Sequence, residues 1–465
     1  VLGWIEPICF SLIALIEGAY KRMLNKRVLF VVAVLAMLVG VIGVSAQSGN
    51  IVEVAAGSEQ FSTLVSLVEA AGLADALAGE GPLTVFAPNN DAFAKLPQVV
   101  LDYLASDAAA LTRVLTYHVV AGEGVTSLEG SDLVVAEDMS LVNDAVVLGS
   151  VEASNGMIYE IDQVLVPAFS LEEVVPATLV GDVISDGSST VEPLAIAVVA
   201  QFVEEGFSGQ ITVGESGTGG GFKAFCEELV TDVSDASRPI KVSGDAANPN
   251  EFEKCVANGR NPIPFRVGTD GIAVVVSSAN DFVEDVTAAE LAAIFSTAVN
   301  WSDVRAEWPA EPILRYIPGT DSGTFDFFTE EVFESDSAPS LAASNLNQSE
   351  NDNVLVQGVE ASPYAIGYFG YAYYVANAET LKLLAIDSVQ PTGISVEDGS
   401  YLLARPLFIY SDPAIMAEKP QVAGYISYFL SNVLDVIETV GYFPSSSFSA
   451  NRSNLIFVAA MAAGQ

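Results

Sequence analysis

Four short segments between residues 186 and 324 hold the residue types best suited to gripping an anion. They are Asp186-Gly187-Ser188-Ser189-Thr190, Ser216-Gly217-Thr218-Gly219-Gly220-Gly221-Phe222, Ser234-Asp235-Ala236-Ser237-Arg238-Pro239 and Pro318-Gly319-Thr320-Asp321-Ser322-Gly323-Thr324. All but the third read as a strand, then small hydroxyl residues and glycine, then a helix start. One such segment alone is an ordinary capped turn, because Ser, Thr, Asp and Gly favour those positions anyway. Three in one region, joined by the acid and guanidinium of the fourth, are different. They supply hydroxyls, backbone N–H groups, positive helix ends and a cation, the chemistry of an oxyanion cage. The candidates are Ser189, Thr190, Ser216, Thr218, Gly219, Asp235, Arg238, Ser322, Gly323 and Thr324, with Gly219 to Gly221 allowing close approach of the anion to the backbone.

Nucleotide chemistry fits poorly. A phosphate-binding loop of the G-x-x-x-x-G-K-[ST] kind needs Lys directly after Gly and a hydroxyl next. Here Phe222 separates Gly221 from Lys223, and Ala224 follows. The dinucleotide pattern G-x-G-x-x-G fails too, since Gly217-x-Gly219 is followed by Phe222. Hydrolysis by one of the loop serines lacks a base: the chain has one histidine, His118, far away in sequence. His118 stands between Tyr117 and Val119 in an apolar stretch and reads as a hydrogen-bonded structural histidine. No metal cluster, cofactor or catalytic residue is expected.

The elements that must position these residues fall into two groups. Up to residue 167, amphipathic helical stretches (Phe61 to Ala78, Val99 to Val120) precede short strand-like runs at 133–136 and 145–148. Residues 168–177 form a connection bracketed by Pro167 and Pro176. Beyond it, strands at 179–184 and 210–213 alternate with helices near 193–205 and from Phe222. This βαβ rhythm predicts an α/β fold with a parallel sheet and loops gathered at the strand ends.

Composition limits the partners. A formal net charge of −41 over 465 residues argues against nucleic acid and against an anionic membrane surface. Near the start, Lys21-Arg22 and Lys26-Arg27 precede an apolar run from Val28 to Val44 and the small-residue exit Val44-Ser45-Ala46. That pattern predicts a leader and signal peptide over 1–46 and export across the cytoplasmic membrane, to a periplasmic, envelope or extracellular location. An uncleaved membrane anchor is the other reading, as the run is near the lower length for spanning. In an oxidising compartment Cys226 and Cys255 favour pairing over two buried thiols, which stabilises the fold by roughly 3–4 kcal/mol in the chain-entropy model.

Two resemblances follow from these motifs. Thr84-Val85-Phe86-Ala87-Pro88-Asn89-Asn90-Asp91-Ala92-Phe93 with Leu96-Pro97, Tyr117-His118-Val119-Val120, and the run from Ser154 to Leu165 resemble the signature segments of a fasciclin domain, here over 47–167. That family implies a compact α/β adhesion module without catalysis. Residues 178–465 contain, over 178–445, motifs similar to the phosphate-binding proteins of bacterial phosphate ABC importers, the PstS type. The four segments above carry this likeness, with Asp270-Gly-Ile-Ala-Val-Val-Val276 and Ile366-Gly-Tyr-Phe-Gly-Tyr371. It implies a two-lobed periplasmic-binding-protein (type II) fold with the ligand between the lobes. One crossover would lie near 270–276 and the other near 381–386.

By position, Thr190, the N–H of Val191, Thr218, Asp235, Ser322, the N–H of Gly323 and Thr324 match that family's phosphate contacts. Where better-known members place an arginine before the third loop, this chain has Pro318. Arg238 stands as its replacement or, alternatively, in a structural ion pair. Ionised Asp235 would accept the hydrogen bond of a protonated phosphate and repel sulfate, which has no proton to give. The expected function is capture of inorganic phosphate for an ABC importer permease, with the fasciclin module locating the protein at a surface or matrix component. The alternative is a surface adhesion protein in which phosphate binding is accessory.

Overall fold

The computed structural model describes residues 49–122, 124–242, 250–320, 322–349 and 351–464. The expected leader and signal segment lies outside the described residues, as does Asp321. The first unit is a five-stranded sheet: β1 (Leu83–Pro88), β2 (Val119–Ala121), β3 (Leu141–Val142), β4 (Ala145–Ala153) and β5 (Gly156–Ile161), in the spatial order β2-β1-β5-β4-β3. Helices flank it, among them α1 (Gln98–Ser106) and α2 (Ala108–Tyr117). Asn89 caps the helix Asn90–Ala94 by accepting from the Ala92 N–H, so the Asn-Asn-Asp turn is a helix N-cap. His118 closes α2: the Leu165 N–H donates to Nε2 at 2.9 Å, and Nδ1 lies 2.8 Å from the Val114 carbonyl. Burial pushes its pKa down to about 4, so the ring is a neutral strut.

The second unit is built on one long mixed sheet. Its strands are β6 (Val183–Gly187), β7 (Ile211–Gly214), β8 (Val233–Ala236) and β9 (Ile263–Ser277), followed by the small pair member β10 (Asp285–Val286). Then come β11 (Leu314–Pro318), β12 (Leu346–Ser349), β13 (Ala365–Gly370), β14 (Leu381–Leu383), β15 (Ala385–Ile386), which pairs with β10, and β16 (Ala404–Ser411). The order β12-β11-β13-β9-β16-β8-β6-β7, with β14 also on β9, describes two lobes. β6, β7 and β8 are mutually parallel in one lobe, and β11, β12 and β13 in the other. The βαβ rhythm therefore exists, but the sheet is not parallel throughout. β9 and β16 run antiparallel to their neighbours and tie the lobes together.

β9 is the outward crossover: its first half pairs with β16 and its second with β13 and β14. The return crossover is β16, not the 381–386 region, which belongs to the second lobe. The run at 381–386 has the apolar look of a crossover because it packs into that lobe's own core.

Helices α3 (Glu192–Glu204), α4 (Gly217–Lys223), α5 (Gly323–Phe333), α6 (Pro420–Val440) and α7 (Ser447–Ala463) complete the frame. α4 starts at Gly217, five residues before the expected Phe222, so the glycines form its first turns. Cys226 and Cys255 are bonded, joining the turn after α4 to the helix Glu251–Ala257. α7 has no separate polar face, and it packs against α1 of the first unit and β9 and α6 of the second. One hydrophobic core runs through both units, from Ile51, Phe93 and Leu104 to Phe202, Tyr425 and Leu455. Phe169, in the 168–177 connection, is buried in that same core. Among the described residues no helix is long and apolar enough to cross a membrane.

Candidate functional site

The ends of β6, β8 and β16 and the N-termini of α4 and α5 meet at a cleft of about 370 Å³ between the lobes. Ser188, Ser189 and Thr190 enter from the turn after β6. Gly217, Thr218 and Gly219 come from α4, Ser237 and Arg238 from the turn after β8. The second lobe contributes Gly323, Asp326, Phe327, Glu330 and Glu331 from α5, and the crossover contributes Ala404, Arg405 and Pro406. Hydroxyls organise the first wall: the Thr218 Oγ1 accepts from the Ser237 N–H at 3.2 Å and lies 3.1 Å from Ser237 Oγ.

Arg405 is the cation at the centre. It stands on β16 directly opposite Asp270 of β9, and its Nε donates to Asp270 Oδ2 at 3.0 Å. Its Nη2 donates to Thr190 Oγ1 at 2.5 Å and to the Gly323 carbonyl at 3.1 Å, touching both lobes at once. Its guanidinium lies 4.2 Å from the centroid of the Phe327 ring. The Thr190 carbonyl in turn accepts from the Tyr442 hydroxyl at 2.7 Å. A planar cation held by a carboxylate, a ring and two loop oxygens keeps its position when a ligand arrives.

Of the residues expected from sequence, Ser189, Thr190, Thr218, Gly219, Arg238 and Gly323 line this cleft. Val191, Ser216, Asp235, Ser322 and Thr324 do not. Val191 is buried, and its N–H donates to the Ser188 carbonyl. Ser216 holds the N-cap position of α4, its N–H donating to Asp186 Oδ1. Ser322 caps α5 by accepting from the Thr324 N–H.

Two expectations need correction. Arg238 borders the cleft, but both its Nη atoms donate to the Glu251 carboxylate at 2.8 Å, so it is first a structural ion pair. Arg405, bonded to Thr190 of one lobe and Gly323 of the other, is the cation that stands between the lobes. Asp235 is fully buried and faces Ser185, whose Oγ donates to Oδ2 at 2.8 Å. Strand alternation explains this. Ser234 lies against α4, near Gly221, so Asp235 points to the opposite face of β8, toward α3 and α6. Burial raises its pKa to about 7 against the Ser185 hydrogen bond, with Asp186 and Glu192 adding to the rise.

Close approach also falls elsewhere than expected. A Cβ on Gly221 would meet Gly187 Cα at 2.6 Å and the Asp186 carbonyl at 2.7 Å, whereas one on Gly219 would meet nothing within 4 Å. The glycines let α4 settle onto the sheet. Its first turn then delivers Thr218 to the cleft.

Comparison with known proteins settles the family. A model described as PBP superfamily domain matches residues 174–433, over half of the chain. The chain belongs to the PBP superfamily. A fasciclin-domain model matches residues 59–167, so a fasciclin domain precedes the PBP domain. The protein SphX of Synechocystis is 38% identical over 282 residues, covering 58% of this chain and 81% of its own. The phosphate-binding protein PstS of Staphylococcus saprophyticus is 33% identical over 283 residues, covering 59% and 84%. A crystal structure of a possible phosphate-binding protein from Planctomyces limnophilus is 39% identical with a TM-score of 0.54, covering 61% of this chain and 99% of that one. The two-lobed fold of the PBP domain follows from both the topology and these likenesses.

Sequence reasoning missed Ser188, Ser237, Asp326, Phe327 and Arg405. Ser188 and Ser237 lay inside motifs already singled out and were passed over for their neighbours. Arg405 left no local signal, since a solitary Arg-Pro in a strand resembles an edge residue. Its one clue was indirect: Asp270, an acid just before the apolar run Ile272–Val276, calls for a partner, which the ladder supplies as Arg405.

Proposed function

We propose that this PBP-superfamily protein is exported, captures inorganic phosphate between its lobes and hands it to the permease of an ABC importer. The fasciclin domain fixes it to a surface or matrix component of the cell envelope. The observation that carries this reading is Arg405, poised between Thr190 of one lobe and Gly323 of the other in a cleft lined by hydroxyls. A four-oxygen anion arriving there replaces both contacts: its oxygens take the guanidinium from the Gly323 carbonyl and bridge Thr190, Thr218 and the N-terminus of α5. Each replaced contact joins the lobes through the ligand, which favours closure about β9 and β16. The SphX and PstS likenesses support phosphate as the anion.

Isothermal titration of the whole chain with phosphate tests the reading. Saturable 1:1 binding is expected. An Arg405→Ala chain should bind at least about 10²-fold more weakly, since hydrogen bonds to a charged group contribute ~1.5–3 kcal/mol each. Arg405→Lys should fall between, keeping charge but losing the planar fork. Equal affinity in all three chains would reject Arg405 as the anion's cation.

A further inference from the structure

A row of four charges, none of them in the cleft, joins the fasciclin domain to the far lobe. Asp144, in the turn between β3 and β4, accepts from Arg452 Nη2 of α7 at 2.9 Å. The next residue of α7, Ser453, holds the crossover itself. Its Oγ accepts from the Arg266 N–H at 3.0 Å and donates to the Arg266 carbonyl at 3.2 Å. Arg266 of β9 then donates through Nη2 to Thr269 Oγ1 at 2.6 Å and to Glu397 Oε2 at 3.3 Å. Glu397 ends the helix Gly393–Glu397, whose Val396 is buried in the core of the second lobe.

The row straddles the hinge. Arg266 stands in the half of β9 that pairs with β16, over the Phe408 ring, whereas Glu397 belongs to the second lobe. Between them Thr269 exchanges both backbone hydrogen bonds with Phe443, whose ring lies 4.3 Å from that of Tyr371. The following residue, Asp270, holds Arg405 in the cleft. The four charges also depend on one another. Burial lowers the pKa of the Arg266 guanidinium, Glu397 raises it and Arg452 lowers it again, so the two guanidiniums feel each other. Asp144 keeps Arg452 on the fasciclin side; without it Arg452 competes with Arg266 for Glu397. In this arrangement the lobes nearly touch, since a Cβ on Gly323 would lie 3.5 Å from Ser189 Oγ and from Thr190 Oγ1. A bond made across the hinge in that state favours it.

We propose that Asp144, Arg452, Arg266 and Glu397 form a latch across the hinge, through which the fasciclin domain sets how long the closed lobes hold their anion. Arg266 and Glu397 are positioning residues: they touch no anion and act on the angle between the lobes. The inference rests on the phosphate reading above. A fasciclin domain seated on α7 keeps Arg452 on Asp144 and leaves Glu397 to Arg266. One drawn off that seat frees Arg452 and loosens the latch. Whatever engages the fasciclin domain is then felt in the cleft.

The test is phosphate titration and stopped-flow release on the whole chain and on Asp144→Asn, Glu397→Gln, doubly substituted and Lys382→Gln chains. Asn and Gln match Asp and Glu in size, so the packing is kept. Asp144→Asn and Glu397→Gln should each weaken phosphate about 3- to 10-fold, within the range of coupling along such networks. The loss should come from faster release at an unchanged association rate. The double variant should lose less than the product of the two, because both substitutions act on one latch. Lys382→Gln breaks the ion pair with Glu284, made at 2.9 Å in the second lobe and outside the row, and should bind as the wild type does. A seam that is merely structural would lower the melting temperature of the Asp144→Asn chain and leave its release rate alone, which overturns the proposal. Losses that multiply independently overturn it too, as does a Lys382→Gln chain that releases equally fast. A wild type that binds phosphate while failing this pattern sinks only the latch. One that binds no phosphate sinks the parent reading with it.

Discussion

At the scale of single residues, Asp235 shows how burial turns a candidate ligand into a pH-dependent liability. Its carboxyl is fully enclosed, with one oxygen bonded to Ser185 and Oδ1 without a partner. Burial raises its pKa in the fold to about 7, well above the usual carboxylate range. The folded protein thus holds a proton that the unfolded chain releases near pH 4. The associated stability is fully present below that pH and is lost as the pH rises through about 7, on the order of several kcal/mol. Asp235→Asn keeps a Ser185 partner without the charge. Chemical denaturation should find this variant more stable than the wild type at pH 8, with the difference shrinking toward pH 5. A difference independent of pH would reject this account. The same residue marks the limit of sequence reading. Its type and motif were legible, but which face of β8 it occupies depends on α4 packing against Ser234. Thr190, Thr218 and Gly323 were legible because hydroxyls and glycine at helix starts have a local reason to be there. Arg405 was not, because its reason is Asp270, paired with it only after the sheet forms.

At the scale of elements, α4 connects a packing requirement to the cleft. Gly221 lies where a methyl would strike Gly187 Cα and the Asp186 carbonyl, both backbone atoms of β6, so neither yields as a flexible side chain would. Gly217 takes φ +79°, a conformation that favours glycine, and starts the helix turning. The five-residue error in the expected start of α4 has this cause: glycines read as loop when taken alone, since each costs helix ~1 kcal/mol relative to alanine. The sheet contact outweighs propensity. Gly221→Ala should therefore destabilise despite alanine's better helix propensity, by about 1–3 kcal/mol. It should also shift Thr218 away from Ser237 and weaken phosphate binding. The paired measurements are a melting curve and a phosphate titration. A chain that gains stability from Gly221→Ala would show that α4 has room to spare.

At the scale of the whole molecule, the fasciclin and PBP domains do not behave as beads on a string. A single hydrophobic core crosses from one to the other, and α7 is the element they share. Polar contacts secure the seam: Arg452 of α7 donates to Asp144 at 2.9 Å, and Asn454 to the Phe169 carbonyl at 2.9 Å. Beside them Arg266 of β9 donates to Glu397 at 3.3 Å, so the seam ends at the crossover where the lobes hinge. No local pattern could reveal this, because a helix wanted on all sides looks the same whatever covers it. The lobe of β6 to β8 and the fasciclin domain should then unfold together. Calorimetry of the whole chain should show one transition covering both. Removing residues 49–170 should leave a PBP domain that melts lower or aggregates, since stripping two or three buried side chains costs ~1.5–3 kcal/mol each. If the shortened chain kept its melting temperature, the shared core would carry no weight and the fasciclin domain would be a passenger. If it fell as expected, the proposed surface attachment of the fasciclin domain would be mechanically continuous with the lobe proposed to grip phosphate.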